Sequence, residues 1–180
     1  IMAITRLGGA NAITGTIPNS NLAAGNVIQV VQTVNTAATI ISVATATLSS
    51  NIMSVNITPS STSSKIYLIA NFGCLDSSTI STSITLNADG TDIHIGDASG
   101  NRSRASSRVY NTDERTSSGG GVSSSFLHSP SSNSQITYGV KLSHSSGGTQ
   151  SIYINNHQGD SNLAKVSRFS SSLVAMEIAG

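Results

Sequence analysis

The chain has 180 residues, with nine Lys and Arg against eight Asp and Glu, and only 9% charged and 4% aromatic residues. An ordinary domain is about a quarter charged; here Ser and Thr dominate instead, at about 30% of the chain. A net charge of +1 excludes the basic stripe of a sequence-independent nucleic-acid binder, and no apolar run approaches the roughly 18 residues of a membrane helix, so neither nucleic acid nor membrane insertion is expected. The one cysteine, Cys74, excludes an internal disulfide framework. Low charge and abundant Ser also fit a disordered linker. Against that, the 37% apolar residues come largely as short runs of Ile, Val and Leu, which suit strands.

In chain order, residues 1–25 show neither helical nor strand periodicity and read as an extended docking arm, its aliphatic and basic contacts being Ile4, Arg6, Leu7, Ile13, Ile17 and Pro18. Met2-Ala3 reads as a translation start, which leaves Ile1 without an account, and the basic-then-apolar order of a signal peptide is not seen. Residues 19–24 allow one helical turn stopped by Gly25. Residues 27–34 form a β-branched run expected to be covered on both faces. Strands are expected next at 39–48, 53–58 and 65–72, with Pro59 and the Ser-rich stretch 60–64 between the last two. In the third, Ile66, Leu68, Ala70 and Phe72 share one face.

Residues 79–87 place Ile80, Ile84 and Leu86 inward, Asp89-Gly90 signals a hairpin, and 91–95 return with Ile93 and Ile95 buried. Residues 96–121 are polar and lean, with a short strand at 108–110 and a flexible Gly119-Gly120-Gly121 turn. Such a long polar stretch reads as an exposed or interface loop, carrying Arg102, Arg104, Arg108, Asp113, Glu114 and Arg115. Strands resume at 122–128, 135–142, 150–155 and 171–178, with Ile136, Tyr138, Val140 and Leu142 sharing a face. The total is about ten short strands, the pattern of an all-β protein: a β-sandwich, jelly-roll-like, over residues 26–180.

Chemistry is sparse. His94, His128, His144 and His157 lack the local spacing of a metal motif, no calcium loop is present, and no Gly-x-Ser-x-Gly elbow marks a nucleophile. Neither a catalytic residue nor a metal or cofactor is expected, and the chain reads as a non-enzyme. The arginines have two readings, contact with an anion or glycan, or ion pairs to Asp97, Asp113 and Glu114. Cys74 reads as a small buried hydrophobe at a strand end.

Three stretches carry a resemblance: Ile57-Thr58-Pro59-Ser60-Ser61-Thr62-Ser63-Ser64-Lys65-Ile66, then Gly96-Asp97-Ala98-Ser99-Gly100-Asn101-Arg102-Ser103-Arg104-Ala105-Ser106, and Leu173-Val174-Ala175-Met176-Glu177-Ile178-Ala179-Gly180. Together they resemble the β-rich C-terminal modules of tail-fibre-like proteins of bacteriophages, especially those of marine bacteria and cyanobacteria. The opening, from Met2 to Ile13, is similar to the start of small virion proteins in such phages. The resemblance implies a virion protein on the particle exterior, commonly a homotrimer, without catalytic residues. With only about 25 residues ahead of the first strand, it implies a capsid decoration, head-fibre or short tail-fibre protein. The arm would grip a capsid or tail protein, and host surface glycan is a further partner. A receptor-binding tip or an extracellular lectin-like adhesin is the alternative. Neutral polar groups suit such a surface, since they give solubility with weak long-range fields and little sensitivity to salt.

Overall fold

The structure is a computed structural model that describes residues 22–77, 81–110, 119–163 and 166–180. The Ile80 expectation and the first part of the 19–24 turn lie outside them. Among the described residues every regular element is a strand: β1 Val27–Asn35, β2 Thr39–Ala44, β3 Met53–Ile57, β4 Lys65–Ser77, β5 Ser81–Ala88, β6 Thr91–Ile93, β7 Ser107–Tyr110, β8 Gly120–His128, β9 Ile136–His144, β10 Thr149–Ile154 and β11 Ser171–Ile178. Alternating or β-branched apolar residues run through most of them, and the breaks fall where backbone chemistry demands. Asp89 and Gly90 both take positive φ, 47° and 83°, the paired left-handed geometry of a tight hairpin between β5 and β6.

The pairing is concentric. β1 pairs with β11, β3 with β9, β4 with β8, and β5 with β6 and β7, all antiparallel. A chain folded back on itself and then rolled in this way is a jelly roll: two packed sheets, here β1-β11-β4-β8 and β3-β9-β5 flanked by β6 and β7. β10 and β2 extend the first sheet. Leu75 in β4 pairs with Gly120 on one edge and Ile154 on the other, so β4 exchanges β11 for β10 along a single edge. Gly73 marks the exchange. The register with β8 slips between Phe72 and Leu75, and the Gly73 N–H turns to donate to Ser170 O at 3.1 Å. β4 therefore runs past the expected end at Phe72, and Cys74 lies within it rather than at its end.

The inner faces bring together Ile66, Leu68, Leu75, Ile84, Leu86, Tyr138, Val140, Leu142 and Leu173, all fully buried. Two carboxylates are buried among the described residues, Asp76 and Glu177. Glu177 in β11 faces inward at the end of the sandwich, where its Oε1 accepts from the Ser60 N–H (2.7 Å), Ser60 Oγ (2.6 Å) and Ser64 Oγ (2.7 Å). Its Oε2 accepts from Gln29 Nε2 at 2.6 Å. Burial pushes the Glu177 carboxyl upward, but the hydrogen bonds from Ser60, Gln29 and Ser64 outweigh it and hold the group below its ordinary value. The Ser-rich stretch 60–64 is thus tied to the last strand by a charge.

Further expectations need correction: β6 stops at Ile93, where His94 turns to a φ of 52°, and Ile93 and Ile95 are half-buried rather than buried. β1 is not covered on both faces: it is an edge strand whose outward Val30 and Val34 are 54% and 56% exposed. Edge position is decided by which strands find partners, and the run of Val cannot encode it. Gly119 is not part of a flexible turn, because a Cβ there would lie 2.5 Å from Cys74 Sγ and 2.8 Å from Asp76 Cβ. Gly120 and Gly121 open β8.

Candidate functional site

Residues 96–106 link β6 to β7 and lie over the outward face of the second sheet. Arg108 of β7, Ser83 of β5 and Ser143 of β9 form one cross-strand row on that face, since Arg108 pairs with Ser83 and Ser83 with Ser143. The row floors a groove of about 710 Å³ whose walls include Gly96, Asp97, Asn101, Arg102, Arg104 and Ser145. Strand alternation puts Ser83 here because its neighbours Ile84 and Leu86 take the core side.

The three arginines are held by neutral groups. Arg102 Nη1 donates to Ser99 Oγ at 2.7 Å, Arg104 Nε to Gly96 O at 2.6 Å, and Arg108 Nη2 to Ser145 Oγ at 2.7 Å and also to Ser81 Oγ. Among the described residues the ion pairs are Lys141–Asp92, His157–Asp76 and Arg168–Asp160, so Asp97 does not neutralise the cluster as one expectation had it. Each guanidinium carries five N–H donors and commits one nitrogen to its anchor. Three positive charges against Asp97 leave the groove cationic and lined with hydroxyls, a chemistry suited to an oxyanion.

A second cluster was invisible in the sequence, because its members come from β4 and the loop after β10. Cys74 Sγ lies 3.8 Å from His157 Nδ1 and donates to Asn156 O at 3.4 Å. Asp76 Oδ2 lies 3.9 Å from the same His157 Nδ1 and accepts from the Gln158 N–H at 2.9 Å. The residue types suggest a nucleophile with its base, but a relay needs the nucleophile and the orienting carboxylate on different ring nitrogens of that base. Here both neighbours face Nδ1. Burial, reinforced by the Asp76 charge, pushes the Cys74 thiol up to about 12, which keeps it protonated and a poor nucleophile. The cluster packs the junction of three segments, with His157 edge-on to Phe169 at 5.4 Å. Cys74 is expected to resist iodoacetamide at pH 8 in the folded protein and to react fully in urea; rapid labelling of the folded chain contradicts this.

The other histidines do not converge. His94 stacks on Phe126 at 4.8 Å, His128 Nδ1 meets the Tyr138 hydroxyl at 2.8 Å, and His144 Nε2 donates to the buried Val43 carbonyl at 2.7 Å. Burial lowers the pKa of His128 and raises that of Tyr138, consistent with the phenol donating to a neutral ring. Among the described residues no three His, Cys, Asp or Glu side chains are placed to share a metal ion.

A mainly apolar band crosses the outward face of the first sheet. Val30, Met176, Tyr67 and Leu127 form one row across β1, β11, β4 and β8, and Gln32, Val174, Ile69 and Ser125 form the next. Val30 and Leu127 are 54% and 46% exposed; the strands between them are half-buried. Neither row holds a charge.

Of the expected functional residues, the structure brings Arg102, Arg104 and Arg108 together in the groove. Asp113, Glu114 and Arg115 lie outside the described residues, as do the docking-arm positions Ile4, Arg6, Leu7, Ile13, Ile17 and Pro18. No family model matches the chain, and no curated protein compared with it does either.

Proposed function

We propose that this chain is a non-enzymatic structural protein of the exterior of a bacteriophage particle, a capsid decoration, head-fibre or short tail-fibre protein. It docks through residues 1–25 to a capsid or tail protein and assembles as a homotrimer. The observation that supports this reading best is the outward apolar face of the β1-β11-β4-β8 sheet. Each large aliphatic or aromatic side chain covered there is worth about 1.5–3 kcal/mol if it goes from exposed to buried. A contiguous exposed apolar patch on a soluble domain marks an interaction surface. The occupant proposed is further copies of this chain, because the two rows carry no charge for a charged partner to complement, whereas apolar surfaces suit one another. The jelly roll agrees by analogy, being an architecture of viral capsid and lectin domains.

Sedimentation equilibrium of the purified chain at micromolar concentration should give three times the protomer mass. The double variant Val30→Glu, Met176→Glu should be a folded monomer. A monomeric parent, or a variant that stays trimeric, overturns the assembly. An antibody against the folded domain should label the outside of intact phage particles from the source culture; labelling confined to the particle-free fraction overturns the virion reading.

A second reading, a tip that binds host-surface glycan, is favoured by the arginine groove. That groove lies on the sheet opposite the apolar face and would stay open in an assembly built through the latter.

A further inference from the structure

We infer that the groove between residues 96–108 and the outward face of β5 and β9 is a binding site for an acidic saccharide, one that carries an oxyanion such as sulfate on a hydroxyl-rich ring. The inference deepens the attachment half of the proposed function by naming the ligand class.

Three observations carry it. First, the protein has nine Lys and Arg, and three of them converge on one groove without a carboxylate partner among the described residues. Exposed arginines normally spread or pair, and a concentration of unpaired ones on a nearly neutral chain creates a local positive field. Second, the guanidiniums are pre-positioned. Arg104 is anchored through Nε, which leaves both terminal nitrogens to bind; Arg108 is pinned at the groove floor by the Ser81 and Ser145 hydroxyls. Forks held in place lose little entropy on meeting a planar or tetrahedral oxyanion. Third, hydroxyl and amide groups make up much of the remaining lining, among them Ser83, Ser107, Ser143 and Asn101. These groups match sugar hydroxyls.

The lining also discriminates. The lining holds no Phe, Tyr or Trp, and the ring of His144 is buried and bonded to the Val43 carbonyl, so a nucleobase finds no open face to stack on; alanines are the only apolar side chains, so an acyl chain gains little by entering. The volume of about 710 Å³ is in the range of small-ligand sites. An oxyanion carried on a hydroxyl-rich ring satisfies both the arginines and the serines. Asp97, also in the lining, disfavours a ligand with charge on every side.

The test is calorimetric titration of the purified full chain with a sulfated galactan oligosaccharide, its desulfated counterpart and inorganic sulfate. The sulfated oligosaccharide should bind, and its affinity should fall at least about tenfold when NaCl rises to about 500 mM. The desulfated sugar should bind at least about tenfold more weakly, and so should the parent ligand to Arg104→Gln, Arg108→Gln. Arg102→Gln, at an exposed position whose side-chain bonds reach only Ser99, should weaken binding by about threefold. Unchanged affinity in the arginine variants, or equal binding of the desulfated sugar, overturns the site. Inorganic sulfate that competes mole for mole overturns the saccharide assignment. Trimer mass, read on the same samples, separates this result from the assembly: a groove variant that fails to bind but stays trimeric leaves the proposed function standing.

Discussion

Glu177→Ala should lower the stability of the folded domain by about 3 kcal/mol, read as a drop in the urea midpoint with an unchanged slope. The carboxylate is fully buried and accepts four hydrogen bonds, so its removal strands the Ser64 hydroxyl, itself buried, and unties the 60–64 turn from β11. Glu177→Gln should recover part of the loss, because one oxygen still accepts while the new amide faces donors. The pH dependence follows from the direction of the shift. Burial raises the carboxyl and the bonds from Ser60, Gln29 and Ser64 bring it below its ordinary 4.5, so the unfolded chain binds the proton more tightly. The stabilisation is therefore complete above about pH 4.5 and is lost as pH falls through the lower folded value. The stability gap between the parent and Glu177→Gln should narrow in that acid window. A gap of constant size from neutral pH to pH 3 would refute the role given to this charge.

Gly119→Ala should cost about 2–3 kcal/mol, although it adds a single methyl group. That methyl would sit 2.5 Å from Cys74 Sγ, 2.8 Å from Asp76 Cβ and 3.2 Å from His157 Nδ1, and two of these belong to β4, which is paired on both edges and cannot move aside. The forced opening should also expose the thiol, so Cys74 labelling in the folded variant should accelerate. Gly147→Ala is the matched control: nothing lies within 4 Å of its Cβ position, and it should change stability by no more than about 0.5 kcal/mol. Equal effects at the two glycines would show that the crowding at Gly119 is relieved without cost.

The strands were legible where one side of the chain is buried. Ile136 to Leu142 and Ile66 to Phe72 alternate because a sheet with one inner face imposes a period of two, and both sets are in the core. The hairpin at Asp89-Gly90 was legible because its positive φ values select those residues. The continuation of β4 through Gly73-Cys74-Leu75-Asp76 was not. Its sequence is mixed, and it stays extended only because β10 takes over the edge that β11 leaves. The candidate site divides in the same way. Arg102, Arg104 and Arg108 stand close in sequence and announce a cationic loop, but Ser83, Ser143 and Ser145 join them only through cross-strand register.

Composition and periodicity by themselves determined an all-β chain with a nearly neutral, hydroxyl-rich surface, because burial of Ile, Val and Leu at alternate positions is a local pattern with a local physical cause. Tertiary structure alone decided the rest. It set the concentric pairing, made β1 an edge, and turned the outer Val, Met and Tyr residues of the first sheet into one apolar face. It also put Glu177 under the Ser-rich turn and closed Gly119 against Cys74. The reason is common to all of these: each depends on which distant segment supplies the neighbour, and partner choice is a property of the whole chain's packing rather than of any window within it.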